Sequence, residues 1–231
     1  MLVDGVWIDR WYDTAADQGH FVRKESAFRH WITPDGSPGP TGDGGFAAET
    51  GRYRLYVSLA CPWAHRVLVM RALKGLETIL PLSVTNWVMA DQGWNFQAGP
   101  GVVADAIMGA AAMHQIYTAA DPGYTGRATV PLIWDKQRNT IANNESAEIM
   151  RMLNSAFDDV GARSGDYYPE ALRPEIDAIN ARVYAGINNG VYRAGFATTQ
   201  QAYAAAVAAV FQALDWVDAC WRRAVTYWAS D

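Results

Sequence analysis

Between Tyr53 and Leu76 the chain reads YRLYVSLACPWAHRVLVMRALKGL, and this stretch limits the fold more than any other. Tyr53, Leu55, Val57 and Leu59 alternate with Arg54, Tyr56 and Ser58, the period of two expected of a strand. Cys61 and Pro62 then open a helix, since proline suits a first helical position where the amide it lacks would have had no partner. Val67, Leu68, Met70, Arg71, Leu73 and Lys74 follow helical spacing, and Gly75 supplies a stop. A cysteine delivered to a helix start faces unpaired amides and the positive end of the helix dipole, and both favour the thiolate. His65 and Arg66, one turn on, are sources of further positive potential. The competing reading is a buried structural cysteine. In Cys61-Pro62-Trp63-Ala64 the place a dithiol oxidoreductase gives to its second cysteine holds Ala64, so disulfide chemistry here needs a thiol from outside.

A chain of 231 residues, 50% of them hydrophobic, is long enough to bury a core as one large domain or two small ones. Its net charge of -5 gives no basic footprint, so nucleic acid is not expected as a partner. Cys61 and Cys220 are too few for a disulfide framework and have no companions at zinc-ligand spacing. A reducing cytoplasm and a metal-free protein are the expectation. The start, MLVDGVWIDRWYDT, lacks a basic segment followed by an apolar core and does not read as a secretory signal. Polar residues interrupt the apolar runs 99–120 and 197–214, and neither reads as a membrane span.

Residues 1–52 read as an extended arm on the domain surface. They mix Trp7, Trp11 and Tyr12 with a basic cluster of Arg23, Lys24, Arg29 and His30 and the turn formers of 33–45. A disordered tail is the alternative, and the aromatics argue against it. A strand over 78–87 completes a strand, helix, strand unit, hence parallel pairing in an α/β domain over 53–157. Residues 88–126 read as a long irregular insertion, with Trp94 its most conspicuous side chain. Thr129 to Asp135 and Thr140 to Ala142 read as two further strands, and Asn143-Asn144-Glu145-Ser146 as the cap of a helix over 147–154. That order is thioredoxin-like, and in that fold a cis proline opens the third strand at the position of Pro131. Residues 158–173 read as a linker, and 174–231 as helical, with one helix from Pro174 to Val191 and an alanine-rich one from about Thr199 to Trp221.

Several segments in this order resemble the glutathione transferase superfamily, and within it the Xi class, the glutathionyl-hydroquinone reductases. They are Asp4-Gly5-Val6-Trp7, Pro38-Gly39-Pro40-Thr41-Gly42, Ser58 to Arg66, Val130-Pro131, Asn143 to Ile149 and Asn188 to Ala197. The resemblance implies a thioredoxin-like domain followed by an all-α domain. It implies that Cys61 is the nucleophile, attacking the sulfur of a glutathionyl-hydroquinone to leave a mixed disulfide that a second glutathione resolves. Trp94, Arg127, Ala128, Thr129, Val130, Glu145 and Ser146 match the family's glutathione-binding positions, and Tyr192 matches its proton donor or acceptor. As residues alone these also read as packing (Trp94), a surface cation (Arg127), helix-start residues (Glu145, Ser146) and a helix-face aromatic (Tyr192). A homodimer is the self-association the family implies.

The likeness ends at about Asp218, and the resemblance implies further helices and pocket tyrosines beyond it. A premature stop or frameshift is therefore expected, with apolar faces of 174–216 left uncovered. Two rival readings stand beside the reductase: an omega-like thiol transferase or dehydroascorbate reductase, and a non-catalytic glutathione-binding remnant.

Overall fold

A computed structural model describes residues 1–228, with side chains through Arg222. Residues 229–231, the end of the region expected to be helical, lie outside the described residues. The chain forms two compact units, one of Met1–Arg10 with Ser26–Tyr167 and the other of Trp11–Glu25 with the chain from Tyr168 onward. The first 52 residues are thus shared between the units.

In the first unit, Leu2–Val3 (β1) and Val6–Trp7 (β2) pair as a hairpin through Asp4 and Gly5, whose φ values of 46° and 77° are those of a two-residue turn of the I′ kind. A side chain at Gly5 would strike the Pro122 carbonyl. Leu2 also exchanges both backbone hydrogen bonds with Gly126, and Arg29 bridges to Asn143. Leu2, Ile32 and Phe46 are core residues, which excludes a disordered tail.

The main sheet comprises Tyr53–Ser58 (β3), Leu82–Thr85 (β4), Leu132–Asp135 (β5) and Thr140–Asn143 (β6), in the order β4-β3-β5-β6. β3 runs parallel to β4 and antiparallel to β5, and β6 is antiparallel to β5. Pro62–Leu73 (α1) links β3 to β4 and packs on Ser146–Ser155 (α3). Because β3 is central, five of its six residues are buried, and the alternation expected of a half-exposed strand is absent. Helix α1 stops as expected, with Gly75 left-handed at φ 62° and its amide on the Ala72 carbonyl. The strand expected over 78–87 shrinks to β4, because the amides of Ile79 and Leu80 fold back onto the Leu76 carbonyl.

The insertion 88–126 is more ordered than its sequence suggests. It contains Met113–Ala120 (α2) and wraps the buried carboxylate of Asp105, which accepts hydrogen bonds from the Tyr56 hydroxyl at 2.6 Å and from the amides of Ile107, Met108 and Ala110. Burial alone pushes this carboxyl up; the Tyr56 hydroxyl and the amides outweigh it, so its pKa lies below the ordinary value. At the start of β3, Arg52 makes a buried two-pronged pair with Asp135 (Nε–Oδ1 3.0 Å, Nη2–Oδ2 2.5 Å) and also holds Glu49 and the Gly45 carbonyl. That pair raises the Arg52 pKa further above its usual value.

The second unit contains Arg173–Val183 (α4), Gly190–Gly195 (α5) and Gln200–Trp228 (α6), with a π-helical turn over Tyr184–Asn188 interrupting the single helix expected from 174 to 191. Gly186 and Gly190 meet Ala213 and Val210 so closely that a Cβ at either glycine would clash. Ala202, Ala206, Val210 and Ala213 form the buried stripe of α6, while Ile179, Val191, Tyr203, Phe211 and Leu214 are exposed. By length and composition alone, Gln200–Arg222 is apolar enough to cross a membrane, an apolarity that comes largely from its alanines.

Asp135→Ala strands the Arg52 guanidinium in the core and is expected to lower stability by about 3–5 kcal/mol in urea unfolding. Asp105→Asn is expected to destabilise the chain at neutral pH. Since the folded Asp105 pKa is depressed, its contribution is present above the unfolded value of about 3.9 and is lost as pH falls through the folded value. The gap between parent and variant urea midpoints should therefore close in acid.

Candidate active site

Cys61 is the N-cap of α1, extended at φ -96° and ψ 115°, with Pro62 at the first helical position. Its carbonyl accepts the amides of Ala64 and His65 and its own amide is held by Ser58, so the backbone fixes where Cβ points. The residue is 7% exposed, and its thiol donates to the Val130 carbonyl at 3.4 Å. The Val130–Pro131 peptide is cis, the geometry expected at this point of the fold. Among the described residues no group hydrogen-bonds the Val130 amide, which leaves a main-chain donor open beside the sulfur.

A second helix start lies across from the first. Glu145, not an asparagine, is the N-cap of α3, accepting the Ala147 amide at 3.2 Å, and the helix begins at Ser146. Arg66, from the exit of the first turn of α1, joins the two helices. Its Nη2 donates to Ser146 Oγ at 2.6 Å and lies 3.7 Å from Glu145 Oε1, while its guanidinium stacks over Trp63 at 4.9 Å. Ser26 donates to Glu145 Oε2 at 3.0 Å.

Thr129 reaches the same corner through Tyr117. The Tyr117 hydroxyl donates to the Thr129 carbonyl at 3.1 Å and accepts from Asn144 Nδ2 at 3.0 Å, which ties the segment before Pro131 to the residue before Glu145. Burial pushes the Tyr117 phenol up, so it stays protonated and serves as a brace.

Cys61, Thr129, Val130, Glu145 and Ser146 are thereby joined by α1, α3 and Tyr117. Trp94 is half-buried against the core, and its carbonyl accepts the amide of Met113 at the start of α2. Arg127 and Ala128 are half-buried, and the Arg127 charge, after burial, depresses the pKa of the Met1 amino group. Tyr192 belongs to the second unit, on α5. A cavity of about 380 Å³ in the insertion, lined by residues such as Asn95, Phe96 and Asp105, includes none of the expected site residues. Among the described residues no group of three or more His, Cys, Asp or Glu is placed to hold a metal.

A family model described as glutathione S-transferase, N-terminal domain, matches residues 60–156, which holds both helix starts. The chain is 58% identical over 218 residues to glutathionyl-hydroquinone reductase PcpF of Sphingobium chlorophenolicum, covering 94% of this chain and 66% of that protein. The glutathione-bound structure of YqjG, a glutathione transferase homologue from Escherichia coli, superposes with a TM-score of 0.83 at 52% identity, over 94% of this chain and 65% of that one. The Xi glutathione transferase of Phanerochaete chrysosporium gives 0.79 at 45% identity, over 86% and 63%. The chain belongs to the Xi class of the glutathione transferases. It spans just under two thirds of the length of these relatives.

Sequence reasoning left Arg66 as an unaimed positive charge and missed Tyr117 and Ser26. In this Xi-class chain the one available signal was Arg66, four residues beyond Pro62 on a helix whose start was already placed. Nothing in the local pattern singles out Tyr117, whose partners lie 12 and 27 residues away. Tyr117→Phe keeps the ring and removes the brace. It is expected to cost about 1–3 kcal/mol in urea unfolding, because Asn144 and Thr129 lose a buried partner.

Proposed function

We propose that the chain reduces glutathionyl-hydroquinones with glutathione. The observation that carries the reading is the cysteine at the α1 start, with its thiol on the Val130 carbonyl and the Val130 amide open beside it. The Cys61 thiolate attacks the glutathionyl sulfur; the aryl carbon–sulfur bond breaks, its electron pair passes to the ring, and the ring takes a proton to give the free hydroquinone. Cys61 is left in a mixed disulfide. A second glutathione thiolate attacks that disulfide, releasing oxidised glutathione and restoring Cys61, so the external thiol replaces the cysteine that Ala64 lacks.

The tripeptide binds as an added strand edge on the Val130 backbone, and the α3 start receives its γ-glutamyl carboxylate. A hydroxyl has one donor and two acceptor sites, and Arg66 occupies the acceptor side of Ser146 Oγ, so the Ser146 proton is directed to that carboxylate. Glu145 pairs with the glutathione ammonium. Arg127 offers a planar fork to a carboxylate, Ala128 and Thr129 contribute backbone along the same edge, and Trp94 offers an aromatic face. Tyr192 carries the proton. A reducing cytoplasm suits this chemistry, and self-association as a homodimer is part of the same reading. Thiol transfer from glutathionylated proteins shares every step at Cys61, and turnover of the two substrate types side by side separates them.

The purified 231-residue chain, given a glutathionyl-hydroquinone and glutathione, is expected to release hydroquinone, and Cys61→Ala to fall to the uncatalysed rate. Mass spectrometry after one equivalent of substrate should find a single glutathionyl group on Cys61. Full turnover by Cys61→Ala overturns the mechanism, and glutathione binding without turnover by the parent chain reassigns the protein as a binding remnant.

A further inference from the structure

The basic residues of the 11–25 segment have no part in the reaction as described so far, yet one of them sits on the tyrosine assigned to the proton step. The Arg23 guanidinium lies over the Tyr192 ring, with Cζ 4.5 Å from the centroid. Its Nε donates to Asn189 Oδ1 at 2.7 Å, three residues before Tyr192, so the cation is fixed over that ring by the helical segment that carries it. Tyr192 also meets Phe196 edge-on at 5.7 Å, and Phe196 packs against Tyr12 and Phe21 from the segment that carries Arg23. That segment is sewn down at its other end: the Thr198 amide donates to the Gly19 carbonyl, Thr199 to the Gln18 carbonyl, and the hydroxyls of Thr14 and Thr198 lie 2.7 Å apart. The neighbouring Arg193 points its guanidinium to the Ala185 carbonyl instead.

We propose that Arg23 is a positioning residue for the Tyr192 proton step, orienting the phenol and favouring its ionised form through a cation held on the ring face. This rests on the reading of Tyr192 as the proton carrier. A cation over an aromatic face is attracted to it, and more strongly once the ring bears a phenolate, so the same contact that fixes the side chain lowers the cost of giving up its proton.

The test pairs Arg23→Gln and Arg23→Lys with Tyr192→Phe. The near-ultraviolet phenolate band that Tyr192→Phe removes isolates one phenol during alkaline titration, in a chain that turns over or not. Arg23→Gln is expected to raise the ionisation pH of that phenol by about one unit, and Arg23→Lys to restore most of the shift. In turnover, Arg23→Gln should lower kcat about tenfold with KM for glutathione unchanged, and should slow Tyr192→Phe no further. An unshifted phenol, or the same slowing in the Tyr192→Phe background, overturns the role of Arg23 while leaving Tyr192 in place. Full activity of Tyr192→Phe overturns the reading of Tyr192, and the role of Arg23 in turnover falls with it.

Discussion

The antiparallel pairing of β3 with β5 carries the architecture of the first unit. Its register runs from Tyr53 opposite Asp135 to Tyr56 opposite Leu132, and a polar contact closes each end. At one end the Arg52–Asp135 pair ties the sheet to the loop at Gly45 and Glu49; at the other the chain leaves β3 and brings the Cys61 thiol onto the Val130 carbonyl. A slip of one residue would turn every β3 side chain to the opposite face and move Val130 away from the sulfur. The buried ion pair opposes that slip because neither charge can leave its partner without being stranded in the core. Stability and the reactive geometry are therefore set by one ladder.

The sequence made the sulfur end of that ladder readable because its signals are local. A strand pattern, a cysteine and a proline at a helix start lie within a dozen residues, and Gly75 ends the helix where a left-handed residue is needed. The same holds for the family motif at Val130-Pro131. What local pattern could not supply was placement governed by distant partners. The Asp105 carboxylate, which organises the insertion, is held by Tyr56 49 residues away, so a stretch that reads as irregular has a buried polar centre. The central position of β3 likewise hides its alternation, since a strand covered on both faces has no reason to keep a polar side.

The N-terminal 52 residues show the same divide. Their aromatics argued against a disordered tail and for an extended arm on the domain surface, whereas Leu2, Ile32 and Phe46 lie in the core. Only the fold reveals that the arm serves two units, with residues 1–10 and 26 onward in one and 11–25 in the other. The alternation of roles follows from chemistry at each stretch. Ser26 and Arg29 meet the acidic start of α3 at Glu145 and Glu148, while Phe21 and Arg23 meet the aromatic and amide groups of α5 and the residues just before it.

Arg66 decides how the two helix starts can differ in task although both offer positive dipole ends. At α1 the N-cap side chain is a thiol that caps no amide: Ala64 and His65 give theirs to the Cys61 carbonyl and Pro62 has none, so the helix start acts on the sulfur through its dipole. At α3 the N-cap is Glu145, whose carboxylate already answers one amide, and a second negative charge from a bound peptide would be repelled. Arg66, 3.7 Å from that carboxylate and hydrogen-bonded to Ser146, offsets the repulsion and leaves the Ser146 proton available to an incoming carboxylate. The arrangement gives one corner a cation and an anion side by side, the pattern an amino acid's ammonium and carboxylate would match. Because Arg66 projects from α1, the same helix that presents the sulfur also sets the charge at the start of α3, and the spacing of the two residues along α1 is fixed by helical geometry.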